Sequence, residues 1–343
     1  MNFFCSRTDL GETYIECTRH HTKTGWFIYL DSGWSSAEDY FFKGFSSSWC
    51  KIYFDPIIKI ETNKLRDFPI YYNKDSVTNF QILDTPVPID GTVSIDKEVS
   101  ISYIENFYPK ISNKHLTFEE CHDILCDAII ENVGTFALSN KKQIYMPAQG
   151  GIDTLTVRSV FDVLEVPYET FDLPTRQPEL SSLGSELSKI NWGFKQIDEK
   201  KGSVIATGFY GDEWILRNPY YVHAILSLRD VNLIDAFDNL RSCYMKEYFE
   251  NYRNKCESLL NISIETLITQ ICNDFQIWHL HDTYFLSPLK HLSLLTLLSA
   301  DTQTIIDQVT DAKLSKSIIE KCNPKLLDMI DPLKNQTDPV WFP

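Results

Sequence analysis

The sequence predicts an antiparallel β-rich N-terminal domain of α+β type, followed by an α/β domain with a doubly wound parallel sheet and a helical C-terminal part. Three patterns indicate this fold class. Short apolar or alternating runs fill residues 1–108, strands then alternate with amphipathic helices, and from about residue 219 the pattern is almost entirely helical. We expect the two domains to span residues 1–108 and 115–335.

The composition is that of a folded, acidic protein. The chain has 343 residues, 43% of them hydrophobic, and its 32 basic and 47 acidic side chains give a net charge of −15. A negative body repels phosphate, so we expect no binding to duplex nucleic acid. No apolar run approaches the ~18 to 20 residues of a membrane span, so no membrane association is expected. An odd number of cysteines and a start without a leader pattern favour a cytoplasmic protein.

The N-terminal region contains three runs that are typical of strands, at residues 25–30, 50–54 and 93–95, between turn signals such as Asp90-Gly91. Residues 106–114 include Pro109 and a polar cluster, which interrupt both strand and helix periodicity. We therefore predict a linker there, with the domain boundary near residues 105–115.

Beyond the linker, helices and strands alternate. Thr117 and Glu120 have the spacing of a capping box, which predicts a helix over residues 121–133. Extended runs at 143–148, 168–173 and 203–208 are predicted strands, and residues 154–166 carry apolar side chains at helical spacing. A parallel sheet of this kind binds ligands at the carboxyl ends of its strands.

The segment Pro147–Thr154 stands where the first of these strands passes into the helix. Gly150 and Gly151 let the backbone turn tightly and approach a ligand, while the first N–H groups of a helix are available to an anion. Asp153 suits Mg²⁺, and the Thr154 hydroxyl suits a phosphate oxygen. The segment lacks the spacing and the lysine of a Walker A loop. A plain Gly-Gly turn with an Asp/Thr helix cap is the alternative interpretation.

Two motifs in this order resemble the ATP-pyrophosphatase (PP-loop) superfamily, and within it the asparagine synthetase branch. The segment 149–154 is similar to the Ser-Gly-Gly-x-Asp-Ser/Thr loop, and 206–213 is similar to the Ser/Thr-Gly-x-Gly-x-Asp-Glu strand end. A weaker match is Lys316-Ser317-Ile318-Ile319, which is similar to the Lys-x-x-Leu segment of the family. The resemblance covers about residues 115–330, and it implies the adenine nucleotide α-hydrolase-like fold of PP-loop proteins.

What the resemblance implies is a ligase that uses ATP and Mg²⁺. Such an enzyme adenylates a carboxylate, releases pyrophosphate, and lets an amine or ammonia attack the acyl-adenylate to give an amide. The departing pyrophosphate needs oriented N–H groups, a metal ion and a lysine. By resemblance, the cofactor-binding residues are Gln149, Gly150, Gly151, Asp153, Thr154 and Gly208, the metal ligands are Asp153 and Asp212, and the catalytic residues are Lys316 and Glu213.

The sequence departs from the family pattern at three places. Gln149 replaces the first loop serine, and bulky Tyr210 stands at the second family glycine, with Gly211 one place later. Family members that take nitrogen from glutamine expose a cysteine at the mature N-terminus, whereas Asn2 follows Met1 here. We therefore expect a first domain without glutaminase activity, as in relatives of the β-lactam synthetase and lasso-peptide cyclase type.

A second hypothesis is a catalytically inactive PP-loop pseudoenzyme that acts as a binding or scaffold protein, motivated by Gln149 and the missing cysteine. Cys121, His122 and Cys126 are better explained by helix packing than as metal ligands, because a second ligand pair is not visible. For His279-Leu280-His281-Asp282, core and loop residues or the lining of a substrate pocket are the preferred interpretations over a metal site, because a second cluster is not visible. The substrates are expected to be a small-molecule or peptide carboxylate and an amine, and aromatic residues in the first domain are compatible with a homodimer.

Overall fold

The computed structural model of the chain describes residues 4–6, 18–22, 25–29, 49–53, 58–62, 70–78, 85–88, 90–96, 98–105, 107–108, 114–139, 142–148, 151–171, 203–208, 210–231, 263–273 and 284–330. It is a mixed α/β structure with small sheets. In these segments, no helix combines the length and the apolar character that a membrane crossing requires.

Two antiparallel sheets are formed by the N-terminal region. Their strands are β1 (Phe4–Ser6), β2 (Thr18–Thr22), β3 (Gly25–Tyr29), β4 (Trp49–Tyr53), β5 (Ile58–Thr62), β6 (Tyr71–Tyr72), β7 (Ser76–Thr78), β8 (Thr85–Pro86), β9 (Gly91–Ile95) and β10 (Val99–Tyr103). The larger sheet has the order β10-β9-β5-β4-β3-β2, and the smaller one β1-β7-β6-β8. The strands predicted near residues 25–30, 50–54 and 93–95 are confirmed.

Alternation explains why these segments form a sheet with one covered face. Along β9, Gly91, Val93 and Ile95 are buried while Thr92 and Ser94 are half-buried. The neighbouring β10 is more exposed, and it pairs with β9 in register from Val99 opposite Ile95. An apolar face on one side and polar side chains on the other is the usual arrangement of an antiparallel sheet.

A third sheet is entirely parallel and lies in the second region. Its strands are β11 (Ile144–Pro147), β12 (Glu169–Phe171), β13 (Val204–Ala206) and β14 (Tyr284–Leu286), in the order β12-β11-β13-β14. The described segments after residue 219 are helical as predicted except for β14, which the sequence analysis did not predict. A three-residue apolar run has no period of its own, and only its pairing with β13 makes it a strand.

The helices surround this sheet. They are α1 (Phe118–Ser139), α2 (Ile152–Val163), α3 (Gly211–Trp214), α4 (Pro219–Ser227), α5 (Ile264–Asn273), α6 (Thr302–Asp311) and α7 (Lys313–Cys322), with 3-10 helices at Leu292–Ser299 and Pro324–Met329. The predicted capping box is confirmed. The Thr117 N–H donates to Glu120 Oε2 at 2.9 Å, and the Glu120 N–H donates to Thr117 Oγ1 at 3.2 Å.

Helix α2 begins and ends earlier than the predicted 154–166. It begins at Ile152 directly after Gly151, and it ends because Glu165 takes the left-handed conformation with φ 54°. The Val166 N–H then bonds to the Phe161 carbonyl at 3.0 Å, the long reverse bond of a Schellman ending. The sequence carries no glycine at this stop, so its position could not be read from the usual signal.

The core of the second region is continuous from α1 to α7. Phe107, from the segment predicted as a linker, is buried in it. Cys121 and Cys126 are buried there too, and burial raises the pKa of the Cys121 thiol to about 12. A smaller apolar cluster joins α7 to the beginning of α2 and consists of Ile152, Leu155, Ala312, Ile319 and Leu326. The predicted domain division stays a prediction.

Candidate functional site

The candidate site lies where the order of the parallel sheet reverses. The chain leaves β11 for β12 on one side, and it later returns to place β13 on the other side of β11. The loops after β11 and β13 therefore diverge from neighbouring strand ends. This topological switch point is where open α/β sheets bind ligands. The two motifs singled out in the sequence follow these two strands.

No side chain of the described residues caps the N-terminus of α2. Gly151 precedes the helix with φ −60° and ψ 169°, an extended conformation that any residue adopts. It is exposed, and a Cβ built on it would meet no described atom within 4 Å. Neither backbone strain nor crowding among the described residues explains a glycine here. Gln149 and Gly150, the other predicted loop residues, lie outside the described residues.

The two motifs meet at Gly208 and Gly211. A Cβ on Gly208 would lie 2.2 Å from the Thr154 nitrogen and 2.3 Å from the Asp153 carbonyl carbon. A Cβ on Gly211 would lie 2.3 Å from Asp153 Cγ. Both glycines are thus required by close approach rather than by a special backbone angle. The Gly208 N–H donates to Thr154 Oγ1 at 3.3 Å, which leaves the hydroxyl its own proton to donate.

The carboxylates of Asp153 and Asp212 share one cation, Arg217. Its Nη1 lies 2.5 Å from Asp153 Oδ2 and 3.7 Å from Asp212 Oδ1. The Arg217 side chain is 7% exposed and that of Asp153 14%, whereas that of Asp212 is 43% exposed. The pair with Asp153 is therefore a buried ion pair, and Asp212 forms its solvent-facing edge.

The chain brings Arg217 back to the site by a tight turn after α3. Leu216 takes a left-handed φ of 61°, and the N–H groups of Arg217 and Asn218 both donate to the Asp212 carbonyl, at 3.0 and 2.5 Å. Sequence reasoning missed Arg217. The available signal was a single charge in the apolar run Trp214–Val222, where a lone arginine needs a buried partner.

Burial dominates the electrostatics of Asp153. Desolvation raises the pKa of this carboxyl to about 6; the Arg217 charge opposes the rise, and the Asp212 charge adds to it. Asp153 Oδ1 is buried and accepts no hydrogen bond from the described residues. A carboxylate with one oxygen left unsatisfied is unusual in a folded interior.

The fit to Mg²⁺ can be tested against this geometry. Two carboxylates at neighbouring strand ends are the donor type that Mg²⁺ prefers, with oxygens about 2.0–2.1 Å from the ion. The guanidinium of Arg217 stands between Asp153 and Asp212, at the place such an ion would need. The pair as arranged does not fit a Mg²⁺ held by both residues. Throughout the described segments, no three His, Cys, Asp or Glu side chains form a group that could hold a metal.

Strand β14 adds polar groups to the same edge of the sheet. Thr207 Oγ1 and Ser287 Oγ are 3.3 Å apart across the ends of β13 and β14. Lys290 is buried, and its Nζ lies 4.8 Å from the centroid of the Tyr210 ring. Tyr210 itself is buried in the core with a left-handed φ of 69°, a strained conformation for an aromatic residue. Sequence reasoning missed Lys290 because β14 was missed.

The predicted catalytic residues have different positions. Glu213 lies in α3 next to Asp212, and its side chain lies outside the described part of the structure. Lys316 lies on α7 and forms an ion pair with Asp311. It shares the helix stripe of Ala312 and Ile319, which pack against the start of α2. No hydrogen bond or ion pair of the described residues joins Lys316 to Asp153 or Asp212.

Comparison with known proteins adds no family assignment, since neither a protein-family model nor a curated protein matches this sequence.

Proposed function

We propose that this chain is an ATP-dependent ligase of the asparagine synthetase type, which adenylates a carboxylate, releases pyrophosphate and transfers the acyl group to an amine or ammonia. The observation that supports it is the contact between two motifs 54 residues apart in sequence, at the switch point of a parallel sheet. Gly208 and Gly211 pack against Asp153 so closely that no other residue fits.

In this proposal, each residue has a limited task. The N–H groups at the start of α2 and the Thr154 hydroxyl bind phosphate oxygens beside Gly151, where a Cβ would meet no described atom within 4 Å. Arg217 supplies fixed positive charge next to that space. Lys316 and Glu213 remain the proposed catalytic residues. Mg²⁺ belongs to the proposal as the ion that ATP carries on its phosphates, with Asp212 as the accessible carboxylate of the pair.

The pseudoenzyme is a second candidate, and one observation favours it. Asp153 is already neutralised by a buried arginine, so the site is electrostatically complete before any nucleotide arrives. Such a site would hold the fold together without turning over a substrate. The choice between the two candidates depends on whether ATP binds and whether pyrophosphate leaves.

A matched pair of glycine variants tests the proposal. Gly151→Glu fills the open space at the α2 N-terminus with a negative charge, whereas Gly134→Glu adds the same charge on α1, where a Cβ also meets no described atom within 4 Å. We expect calorimetry to detect ATP·Mg²⁺ binding to the wild type and to Gly134→Glu, and a loss of at least about tenfold in affinity for Gly151→Glu.

Pyrophosphate release against a pool of amino acids then separates the two candidates. Release that depends on an added carboxylate supports the ligase. Binding without release supports the pseudoenzyme as a nucleotide-binding module. Absence of ATP binding to the wild type would overturn both the ligase proposal and the assignment of the α2 N-terminus as a phosphate site.

A further inference from the structure

We propose that Arg217 is a built-in cation that takes the place of a protein-held Mg²⁺ between Asp153 and Asp212. This inference rests on the proposed function, because it identifies the positive charge that would face the nucleotide phosphates. It implies that Asp153 and Asp212 together hold no divalent ion of their own.

The position and burial of the Arg217 side chain support this assignment. One nitrogen of Arg217 is within ion-pair distance of both carboxylates, at 2.5 and 3.7 Å. The side chain is 7% exposed, so the guanidinium is a fixed part of the interior rather than a mobile surface charge. Gly211 and Gly208 approach Asp153 so closely that they restrict its position. A metal ion between the carboxylates would therefore have to displace a buried arginine.

The backbone around Arg217 supports the same conclusion. Its N–H group and that of Asn218 converge on the Asp212 carbonyl, after the left-handed turn at Leu216. A turn with φ 61° at leucine costs on the order of 1 kcal/mol or more, and such strain persists only where the surroundings enforce it. The position of the guanidinium is thus determined by the fold and not by the carboxylates alone.

The test measures Mn²⁺ binding to the nucleotide-free protein by electron paramagnetic resonance. We expect the Mn²⁺ binding of the wild type to be unchanged by Asp153→Asn. We expect Arg217→Gln to bind one Mn²⁺ at least about 100-fold more tightly than the wild type, the effect expected for removing a unit positive charge at this distance. The double variant Arg217→Gln/Asp153→Asn should lose the new site.

A second, half-buried arginine gives the control. Arg229 donates to the carbonyls of Ala300 and Leu298 at 2.6 and 2.8 Å, away from the carboxylates, so Arg229→Gln should bind Mn²⁺ no better than the wild type. Two results would overturn the inference: a wild-type Mn²⁺ site that Asp153→Asn abolishes, or a folded Arg217→Gln variant that gains none.

The wild-type measurement decides the question even where Arg217→Gln fails to fold. A wild type whose Mn²⁺ binding is unchanged by Asp153→Asn supports the inference, and a site that this variant removes contradicts it. Since no nucleotide is present, a failure of ATP binding would count against the proposed function alone.

Discussion

The two ends of helix α2 each carry an aspartate, and the two carboxylates differ in how many of their oxygens have hydrogen-bond partners. At the C-terminal end, Asp162 has both oxygens bonded, Oδ1 by the Tyr168 hydroxyl and Oδ2 by Asn323 Nδ2, each at 2.6 Å. At the N-terminal end, Asp153 has one oxygen paired with Arg217 and the other buried without a donor from the described residues.

This difference in hydrogen bonding indicates a stabilising role for Asp162 and marks Asp153 as the candidate functional residue. Hydrogen bonds to both oxygens recover the cost of desolvating a carboxylate, so Asp162 joins α2 to the segments that follow it. Among the described residues, the N-terminal end has no side-chain cap, and the buried charge of Asp153 lies near Gly151, where a Cβ would meet no described atom within 4 Å. Unsatisfied groups of this kind are tolerated where a ligand completes them.

The largest effect is expected from breaking the contact that fixes the N-terminal end. Gly208→Ala places a methyl group 2.2 Å from the Thr154 nitrogen, and backbone atoms cannot move aside as a side chain can. We expect the free energy of unfolding to fall by about 3 to 5 kcal/mol in chemical denaturation. Gly134→Ala on α1, with no described atom within 4 Å, should instead stabilise by about 0.5 to 1 kcal/mol.

Equal stabilities of these two variants would contradict the interlocking of the two motifs. A large loss confined to Gly208→Ala would show that the approach of β13 to α2 is a condition for folding.

The second effect is a pH dependence of stability that comes from Asp153 at the N-terminal end. The pKa of Asp153 rises from 3.8 to about 6 on folding, so the folded state binds this proton more tightly than the unfolded state. Its contribution is therefore most favourable below pH 4, declines as the pH rises towards 6, and is constant above. Compared with Asp153→Asn, the wild type should lose roughly 3 kcal/mol of stability across this window.

Thermal or urea unfolding of both proteins between pH 4 and 7 measures this difference. The absolute offset between the two curves also contains the lost ion pair, so the change in the offset is the quantity to compare. Parallel curves would contradict a raised pKa for Asp153.

At the C-terminal end, we expect a smaller loss without any effect on ligand binding. Tyr168→Phe removes the hydroxyl that donates to Asp162 and accepts from Arg158 Nε at 2.9 Å. The free energy of unfolding should fall by roughly 1 kcal/mol, because the half-buried side chains of Asp162 and Arg158 lose their partner. Tyr103→Phe, at a side chain that is 64% exposed, should change stability by less than about 0.5 kcal/mol. A loss of ATP binding in Tyr168→Phe would show that the two ends are not independent.

Local sequence patterns predicted the parts of the fold that local interactions determine. The capping box at Thr117 and Glu120 is complete within four residues, and strand β11 follows from a short apolar run bounded by polar residues. The contact between Asp153 and Gly208 could be predicted from the sequence for a different reason. Parallel strands align their carboxyl ends, so motifs after neighbouring strands lie close together.

Other parts depend on contacts that a single sequence does not contain. Arg217 reaches the carboxylates because Leu216 turns the chain with φ 61°, and leucine gives no signal for such a turn. Lys290 comes to the site on β14, whose three residues become a strand only by pairing with β13. Both cations that the sequence analysis missed are therefore products of long-range packing. The predicted metal pair was derived from the carboxylates alone.

Substitution of Lys316 is expected to have the smallest effect on stability but a large effect on the rate of pyrophosphate release. Its ion pair with Asp311 is partly exposed, as is the pair of Lys313 with Asp307 at 2.7 Å, and both pairs join α7 to α6. Lys316→Gln and Lys313→Gln should each change stability by no more than about 0.5 kcal/mol.

The two lysines should differ in activity. Lys316 lies on the stripe that packs against the start of α2, so on the proposed function it reaches the departing pyrophosphate once a nucleotide is bound. Pyrophosphate release should then fall at least about 100-fold in Lys316→Gln and remain unchanged in Lys313→Gln. Equal rates in the two variants would remove Lys316 from the mechanism. The positive charge that stabilises the pyrophosphate would then have to come from Arg217 and the N–H groups of α2. Only those groups would then distinguish the N-terminal end of the helix from its C-terminal end.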